Sequence, residues 1–562
     1  MRKNLGVPRH GVVGRTLVSW IPHIMKKQFA ILLFALPAFA GTCPSGANYI
    51  LNPATTFTPG TLASQGVTAC YYASKSIGSD SYDGSQETVS GSHGPWAHIP
   101  GMAGCTSNCA AVTPAAGEGF ILRGGDTWGT ADLNYVYHGA WPTGTSSHPV
   151  YIGVDPAWYS GASWARPIWS CAGGSCSSGS QYANLGNSSI SYIILDNVEM
   201  TGLHTATMSH YVDVGGTYTI VENIYAHGWE HTGASSDTGV AFSSANNYNT
   251  LRFCVCDGSD TTEDMLACVT GEWEDVYGNY ITQVANGIAA TESRVHDNWV
   301  GPTNTSFPGG HQNAIQIAGP ASGDTVAFIY NNIVTGTETG GMGQYWWAQG
   351  SGNAGTTWYF FNNLMFKTAS GNNIDICQEG AACGTHYVFN NTLECGSASG
   401  GVGVCANTAG MTPTATVYFI NNHCIATGCE NGASGSITLT ETTDLIQSVS
   451  KADANTSPKY DQYAETQTYA FSPVASTNST VGAGTNEQSL CSAIAAVYGP
   501  AGTACQNDTG YACNYNTTNH TVTCPARATV SRPTNGAWDI GAYESQSGPP
   551  PQPPTDVQAI PH

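Results

Sequence analysis

The sequence predicts an all-β protein built as a single right-handed parallel β-helix, and three observations predict it. A phrase ending in Asn returns about every 30 residues, strand-like runs lie between its copies, and glycine is abundant while charge is scarce. The copies are Val276-Tyr-Gly-Asn-Tyr-Ile281, Val295-His-Asp-Asn-Trp-Val300, Phe328-Ile-Tyr-Asn-Asn-Ile-Val334, Tyr359-Phe-Phe-Asn-Asn-Leu-Met365, Tyr387-Val-Phe-Asn-Asn-Thr-Leu393 and Tyr418-Phe-Ile-Asn-Asn-His-Cys424. Their last Asn residues, 279, 298, 332, 363, 391 and 422, are separated by 19, 34, 31, 28 and 31 positions, the spacing of a solenoid.

Each copy reads as strand, bend, strand, because Asn tolerates the left-handed conformation such a bend requires. Stacked coils would superpose these amides into a hydrogen-bonded ladder. The intervening runs, Gly287-Ile-Ala-Ala-Thr291, Ala314-Ile-Gln-Ile-Ala318, Gln344-Tyr-Trp-Trp-Ala348, Asn373-Ile-Asp-Ile-Cys377 and Gly403-Val-Cys-Ala406, supply further strands per turn. A β-sandwich with Asn in its turns is the competing architecture, but sandwich strands do not repeat one phrase at this spacing. Handedness follows from the rule for parallel strand crossovers. The regular coils are expected from about Tyr71 to about Ala426, with a less regular segment to Glu544.

Gly is 67 of 562 residues, about 12% against a typical ~7%, which suits tight corners. Charged residues are 10% against a typical ~25%, which suits stacked strands with Ser, Thr and Asn outside. A solenoid lengthens without needing a second core, so one elongated domain is permitted. The balance of 38 acidic to 16 basic residues, a net charge of -22, excludes nucleic acid as a partner, since phosphates need clustered Lys and Arg. It also repels polyanions unless a cationic patch or Ca²⁺ intervenes, and leaves neutral glycans unaffected.

In chain order, Met25-Lys-Lys, the apolar run from Phe29 to Phe39 and Ala38-Phe-Ala40 before Gly41 read as a secretory signal peptide following a leader, 1–40 in all. No later apolar run approaches the ~18 residues needed to span a membrane. A secreted, extracellular or cell-surface protein is therefore expected. An N-terminal cap and first coils occupy 41–170, the repeat region 171–450, a C-terminal segment 451–544 and a Pro-rich tail 545–562. All 19 cysteines follow the cleavage site, and close pairs such as Cys105 and Cys109, Cys171 and Cys176, Cys377 and Cys383, Cys395 and Cys405, and Cys424 and Cys429 predict short-loop disulfides. The odd count leaves at least one thiol over or bonded between chains, and Cys254-Val-Cys256 is expected to stack or pair. Metal binding by cysteine is the weaker alternative, as Cys-x-x-Cys is absent.

Tyr71-Tyr-Ala-Ser-Lys-Ser-Ile-Gly-Ser-Asp-Ser-Tyr-Asp-Gly-Ser85 and Gly94-Pro-Trp96, with the runs Gly117–Asp126 and Pro149–Gly153, resemble the opening of secreted bacterial right-handed parallel β-helix proteins of the pectate-lyase-like type. Ser472-Pro-Val, Gly482-Ala-Gly484 and Arg532-Pro-Thr-Asn-Gly-Ala-Trp-Asp-Ile-Gly-Ala-Tyr-Glu544 resemble the choice-of-anchor ending of the same group. The resemblance covers about residues 70 to 544 and implies the fold; its members include lyases, glycosidases, esterases and non-catalytic surface proteins. The polygalacturonase set of Asn-Thr-Asp, Asp-Asp, Gly-His-Gly and Arg-Ile-Lys is missing, and no pectate-lyase-like arginine base is identifiable. Gly548 to Thr555 reads as a stiff polyproline linker, and the stretch from Asp556 to His562 is too short to fold alone.

Strand alternation turns Gln316, Asp213 and Asp375 outward. Neighbouring coils add Asp264, Glu292, Arg294, His296, His311, Tyr345, Trp346 and Trp347. If these share one sheet, its outer face offers carboxylates, a guanidinium, imidazoles and aromatic platforms, a combination suited to a sugar chain; a polar solvent face with incidental aromatics is the plain alternative. His227-Gly-Trp-Glu-His231 matches a zinc-peptidase pattern, but its strand-like approach and Gly228 argue for a loop, leaving Trp229, Glu230 and His231 as substrate contacts.

The expected activity is cleavage of a polysaccharide in an outer-face groove. For β-elimination, His311 or a nearby Tyr would be the base and Arg294, or Ca²⁺ held by Asp264, Glu292 or Asp375, would neutralise the uronate. For hydrolysis, Asp264 and Glu292 would be the carboxylate pair. The rival is a non-catalytic glycan-binding surface or matrix protein using the same strip. The glycan and the oligomeric state are not encoded in the repeat.

Overall fold

The structure, a computed structural model, describes residues 40–51, 59–172, 181–203, 210–229, 239–261, 265–303, 312–317, 319–320, 323–335, 343–348, 355–366, 374–376, 382–395, 404–407, 414–430, 437–447, 471–473, 476, 478–509, 514–516, 518–523 and 528–545. The leader and signal segment and the Pro-rich tail lie outside them.

Three parallel sheets form the walls of a β-helix, and the chain visits them in the same order on every turn. Sheet 1 includes Gln181–Asn184, His210–Val214, Val240–Ala245, Gln312–Ile317 and Gly343–Ala348. Sheet 2 runs from Ala69–Ala73 to Ile437–Thr442. Sheet 3 runs from Thr127–Trp128 to Leu445–Gln447, so the coils extend one turn beyond the expected end at Ala426. The long strands Ala267–Tyr277 and Asn286–His296 bend round a corner, their first halves in sheet 1 and their second halves in sheet 2.

Inward positions stack like with like. Val212, Phe242, Val269, Ile288 and Ile315 line sheet 1, and Leu251, Val276, Val295, Ile329, Phe360 and Val388 line sheet 2; all are buried in one continuous core. Each coil therefore hides its apolar face only against its neighbours, which is the energetic logic of a solenoid.

The Asn ladder is present at the corner between sheets 2 and 3. Asn279 donates through Nδ2 to Asn298 Oδ1 at 3.0 Å, Asn298 to Asn332 at 3.1 Å, and Asn332 to Asn363, Asn363 to Asn391 and Asn391 to Asn422 at 3.0 Å each. The backbone N–H of each ladder residue donates to the same acceptor, as in Asn332 to Asn363 at 3.0 Å. The two duties of the repeat are divided differently from expectation. The left-handed bend is made by the residue before each ladder Asn, namely Gly278, Asp297, Asn331, Asn362, Asn390 and Asn421. The first residue of the pair turns the chain, and the second carries the amide inward.

The ladder ends on Asp444, whose Oδ1 accepts from Asn422 Nδ2 at 3.0 Å. Burial pushes this carboxyl up to about 7 against the two Asn422 hydrogen bonds. Its folded value lies above the unfolded ~3.9, so the ionised group works against folding as pH rises from about 4 to about 7. Asp444→Asn keeps the acceptor and removes the charge. It is expected to stabilise the protein by about 1–2 kcal/mol at pH 8 and by little at pH 4. Melting curves at both values check this, and an equal gain at both contradicts the assignment.

The disulfides are local, as expected. Cys105 pairs with Cys109, Cys395 with Cys405 and Cys424 with Cys429, across 4, 10 and 5 residues. Cys43–Cys70 and Cys491–Cys505 close loops of 27 and 14. Cys171 and Cys383 are also disulfide-bonded, while Cys176 and Cys377 lie outside the described residues. Of the two alternatives for Cys254 and Cys256, disulfide pairing is not made: with Cys268 they are buried free thiols inside the coil, where they serve as small apolar side chains.

The C-terminal segment folds back along the outside. Helices Gln488–Val497 and Gly499–Cys505 lie on sheet 2 over Phe328, Tyr330, Tyr359, Phe361 and Phe389. The hairpin of Asn514–Asn516 and Thr521–Thr523 lies on sheet 3, where Tyr515 and Val522 pack with Tyr225, Tyr280 and Trp299. Arg166 fastens it by donating to the carbonyls of Asn519 at 2.6 Å and His520 at 3.0 Å.

Candidate functional site

With sheets 2 and 3 covered in this way, the outer face of sheet 1 is the wall that the described C-terminal segment leaves open. One register column runs along it through Asn184, Asp213, Ser243, Thr270, Ala289, Gln316, Trp347, Asp375 and Asn407. The first six are half-buried while the residue before each is buried, the signature of a strand with one wet face. Asp213, Gln316 and Asp375, chosen from strand alternation, thus share one line parallel to the helix axis with Trp347 of the aromatic trio.

Two residues that alternation did not pick out add chemistry. His210 opens the strand that carries Asp213. Burial lowers its imidazole below the ordinary value, with Asp213 pulling the other way, and burial raises the Asp213 carboxyl, with His210 pulling it down. The result is a neutral imidazole beside a carboxyl that holds its proton to higher pH than a free aspartate. Glu272 lies two residues past Thr270, half-buried and in register with Ala245, just beyond Gly271, whose left-handed backbone at φ 93° begins the corner. Its neighbour Trp273 is buried in the core. Strict alternation misses both, since His210 stands three residues before Asp213 and Gly271 interrupts the alternation ahead of Glu272. No Lys or Arg occurs in the strands of sheet 1.

Other expectations are corrected. Arg294 and His296 do not join this face, because the strand that carries them has already turned the corner into sheet 2. Arg294 is paired with Glu274 and, at 3.3 Å, with Asp275, and lies 4.4 Å from the Tyr498 ring of the C-terminal segment. It is engaged by these carboxylates on the sheet 2 side of the corner. His296 is held between Asp275 at 3.0 Å and Asp297 at 2.7 Å, which raise its imidazole to about 9 despite burial. Trp229 is no surface contact: it is 1% exposed and belongs to the core, since the chain turns inward after Gly228.

His227, the first residue of the zinc-peptidase pattern, ends the strand Tyr225–His227 rather than a helix and is clamped by Glu199 at 3.1 Å and Asp260 at 2.6 Å. Glu230, His231, Asp264 and His311 lie outside the described residues. Glu292, Tyr345, Trp346, Trp347 and Asp375 are described as strand positions only. Glu292 is in register with Trp273 at the corner, and Trp346 with Ile315 and Ile374. Among the described residues no group of three or more His, Cys, Asp or Glu is arranged to hold a metal ion. No helix among them is long and apolar enough to cross a membrane.

No family model matches the chain, and no curated protein does. Solved structures give partial overlays. A GH136 lacto-N-biosidase from Eubacterium ramulus is 14% identical with a TM-score of 0.41, over 67% of this chain and 68% of that one. A rhamnogalacturonan lyase is 13% identical with a TM-score of 0.37, over 67% and 87%. A mannuronic acid specific polysaccharide family 6 lyase from human gut microbiota is 12% identical with a TM-score of 0.29, over 59% and 76%. Likeness of this degree carries no conclusion about activity.

Proposed function

We propose that the protein is an exported carbohydrate-active enzyme that binds a polysaccharide along the outer face of sheet 1 and cleaves it there by hydrolysis. The observation that carries this reading is the open column of hydroxyl, amide and carboxyl groups centred on Asp213, on a wall without lysine or arginine. Such a face suits a neutral sugar chain, whose hydroxyls need donors and acceptors rather than cations. The local disulfides fit an oxidising compartment outside the cytoplasm.

Asp213, raised by burial and next to a neutral His210, serves as general acid, and Glu272 as the base that activates water. Two rungs of ~4.8 Å along the axis separate the coils of Asp213 and Glu272. That step is on the scale of the ~6.5–9.5 Å carboxyl separation of inverting hydrolysis. β-Elimination has less support, since it would rely on a bound cation such as Ca²⁺ at Asp375 or Glu292 to neutralise a uronate.

Incubation with neutral and uronate polysaccharides, with Ca²⁺ and with chelator, tests the reading. Saturated reducing ends from neutral glycans are expected, with Asp213→Asn and Glu272→Gln each lowering the rate by about 10²–10⁴-fold. Unsaturated, ultraviolet-absorbing product would replace hydrolysis by elimination. Binding without product would make the protein a glycan-binding surface protein.

A further inference from the structure

Three tyrosines stand one above another at the corner between sheets 1 and 2, on the same coils that carry Asn184, Asp213 and Ser243. The Tyr192 and Tyr218 rings are 4.9 Å apart and 7° from parallel, and Tyr218 and Tyr248 are 5.0 Å apart and 13° from parallel. Tyr218 and Tyr248 are each 43% exposed. No hydrogen bond to any of the three hydroxyls occurs among the described residues. All three hold the left-handed backbone, at φ 59°, 52° and 65°.

That conformation is unfavourable for a bulky side chain. At the other corner the chain meets the same backbone requirement mostly with Asn, which adopts it readily. Mutual stacking accounts for part of the choice, but Tyr218 and Tyr248 keep much of their surface in water, where burial gives no reason for a ring. What tyrosine supplies that asparagine does not is a rigid column of phenol edges whose hydroxyls repeat at about one rung. Stacking fixes the rotamers beforehand, so binding loses little side-chain freedom.

The adjoining positions are polar: Ser191 precedes Tyr192, Thr217 precedes Tyr218, and Asn247 precedes Tyr248, with Ser191 and Thr217 sharing a hydrogen bond of 2.9 Å. No charged residue adjoins any of the three in the sequence, so the column offers an anionic partner no pairing group of its own. We propose that Tyr192, Tyr218 and Tyr248 form a second, non-catalytic binding strip for a neutral glycan chain lying along the helix axis. Because the strip is one corner away from Asp213, it takes a chain other than the one being cleaved. It thereby holds the protein on a multi-chain, insoluble polysaccharide. The inference rests on the reading that the protein handles polysaccharide, but its test does not need cleavage.

The full-length mature protein and the triple variant Tyr192→Asn, Tyr218→Asn, Tyr248→Asn are mixed with insoluble cellulose, chitin, xylan and mannan, and the bound fraction is measured against polysaccharide concentration. Asn suits the left-handed corner, so the variant should melt no earlier than the parent; a Tyr→Phe triple, which keeps rings and backbone, serves if it does. At least tenfold weaker adsorption is expected on whichever polysaccharide the parent prefers. Adsorption equal to the parent's overturns the strip, as does a parent that adsorbs to none of the four. Asp213→Asn separates the two readings: it should abolish product while leaving adsorption intact. Tyrosine-dependent adsorption without any cleavage by the parent sinks the hydrolase and keeps the strip.

Discussion

Arg532→Ala is expected to destabilise the protein by about 3–5 kcal/mol, because it leaves a buried carboxylate without its cation. Arg532 is 2% exposed. It donates to Glu544 at 2.9 Å, to Asn362 Oδ1 at 3.1 Å and to the Gly541 carbonyl at 3.1 Å, and its guanidinium lies 5.2 Å from the Trp538 ring. Asn362 is the left-handed corner residue of one coil, so this single side chain ties the C-terminal segment to the helix wall. Burial already pushes Glu544 up to about 7, against the pull of Arg532. Without the arginine, Glu544 would protonate at neutral pH and soften the loss. The deficit should therefore be larger at pH 8.5 than at pH 5.5. Thermal melts at the two values measure it; a loss under 1 kcal/mol at pH 8.5 would show that the clamp is not energetically coupled to the coils.

Asn363→Leu is expected to cost about 3 kcal/mol, the sum of one or two buried polar groups left unpaired at ~1–3 kcal/mol each. The substitution removes the acceptor for both Asn332 N–H and Asn332 Nδ2, and the Nδ2 donor to Asn391 Oδ1, while the backbone N–H of residue 363 still donates there. Asn332 Nδ2 keeps a second acceptor in the Val295 carbonyl, but its backbone N–H has no such alternative. Since the left-handed bend sits at Asn362, the loss at 363 reports hydrogen bonding rather than backbone strain. Unchanged thermal stability in this variant would mean that the ladder follows from the stacking and does not support it.

The fold was legible because its two periodicities are written in residue types with a narrow physical meaning. Asn at a fixed step marks a repeated corner, and Val-x-Val or Ile-x-Ile at two-residue alternation marks an inward face. The same alternation correctly put Asp213, Gln316 and Asp375 on one line. It failed for Arg294, since nothing in Glu292-Ser-Arg294 signals that the strand has already rounded a corner. It failed for Trp229 because a sequence after a strand reads as a surface loop even when the chain turns inward. His210 and Glu272 escape the rule, because one stands at an odd spacing from Asp213 and the other follows left-handed Gly271. The tyrosine column was hidden for another reason: Ser191-Tyr-Ile-Ile-Leu195, Thr217-Tyr-Thr-Ile-Val221 and Asn247-Tyr-Asn-Thr-Leu251 share only a loose pattern outside the Asn phrase, and their stacking appears only through the register of adjacent coils.

The residues that shield Tyr330, Phe361 and Phe389 lie at the far end of the chain, more than 100 positions after the wall they cover. A ribosome or an export channel therefore delivers the wall before its shield. During that interval stacked aromatic rings face water on a flat parallel sheet, a surface prone to self-association. Synthesis is consequently vulnerable between emergence of the coils and of the covering helices, and removal of Gln488–Val497 and Gly499–Cys505 should show first as aggregation.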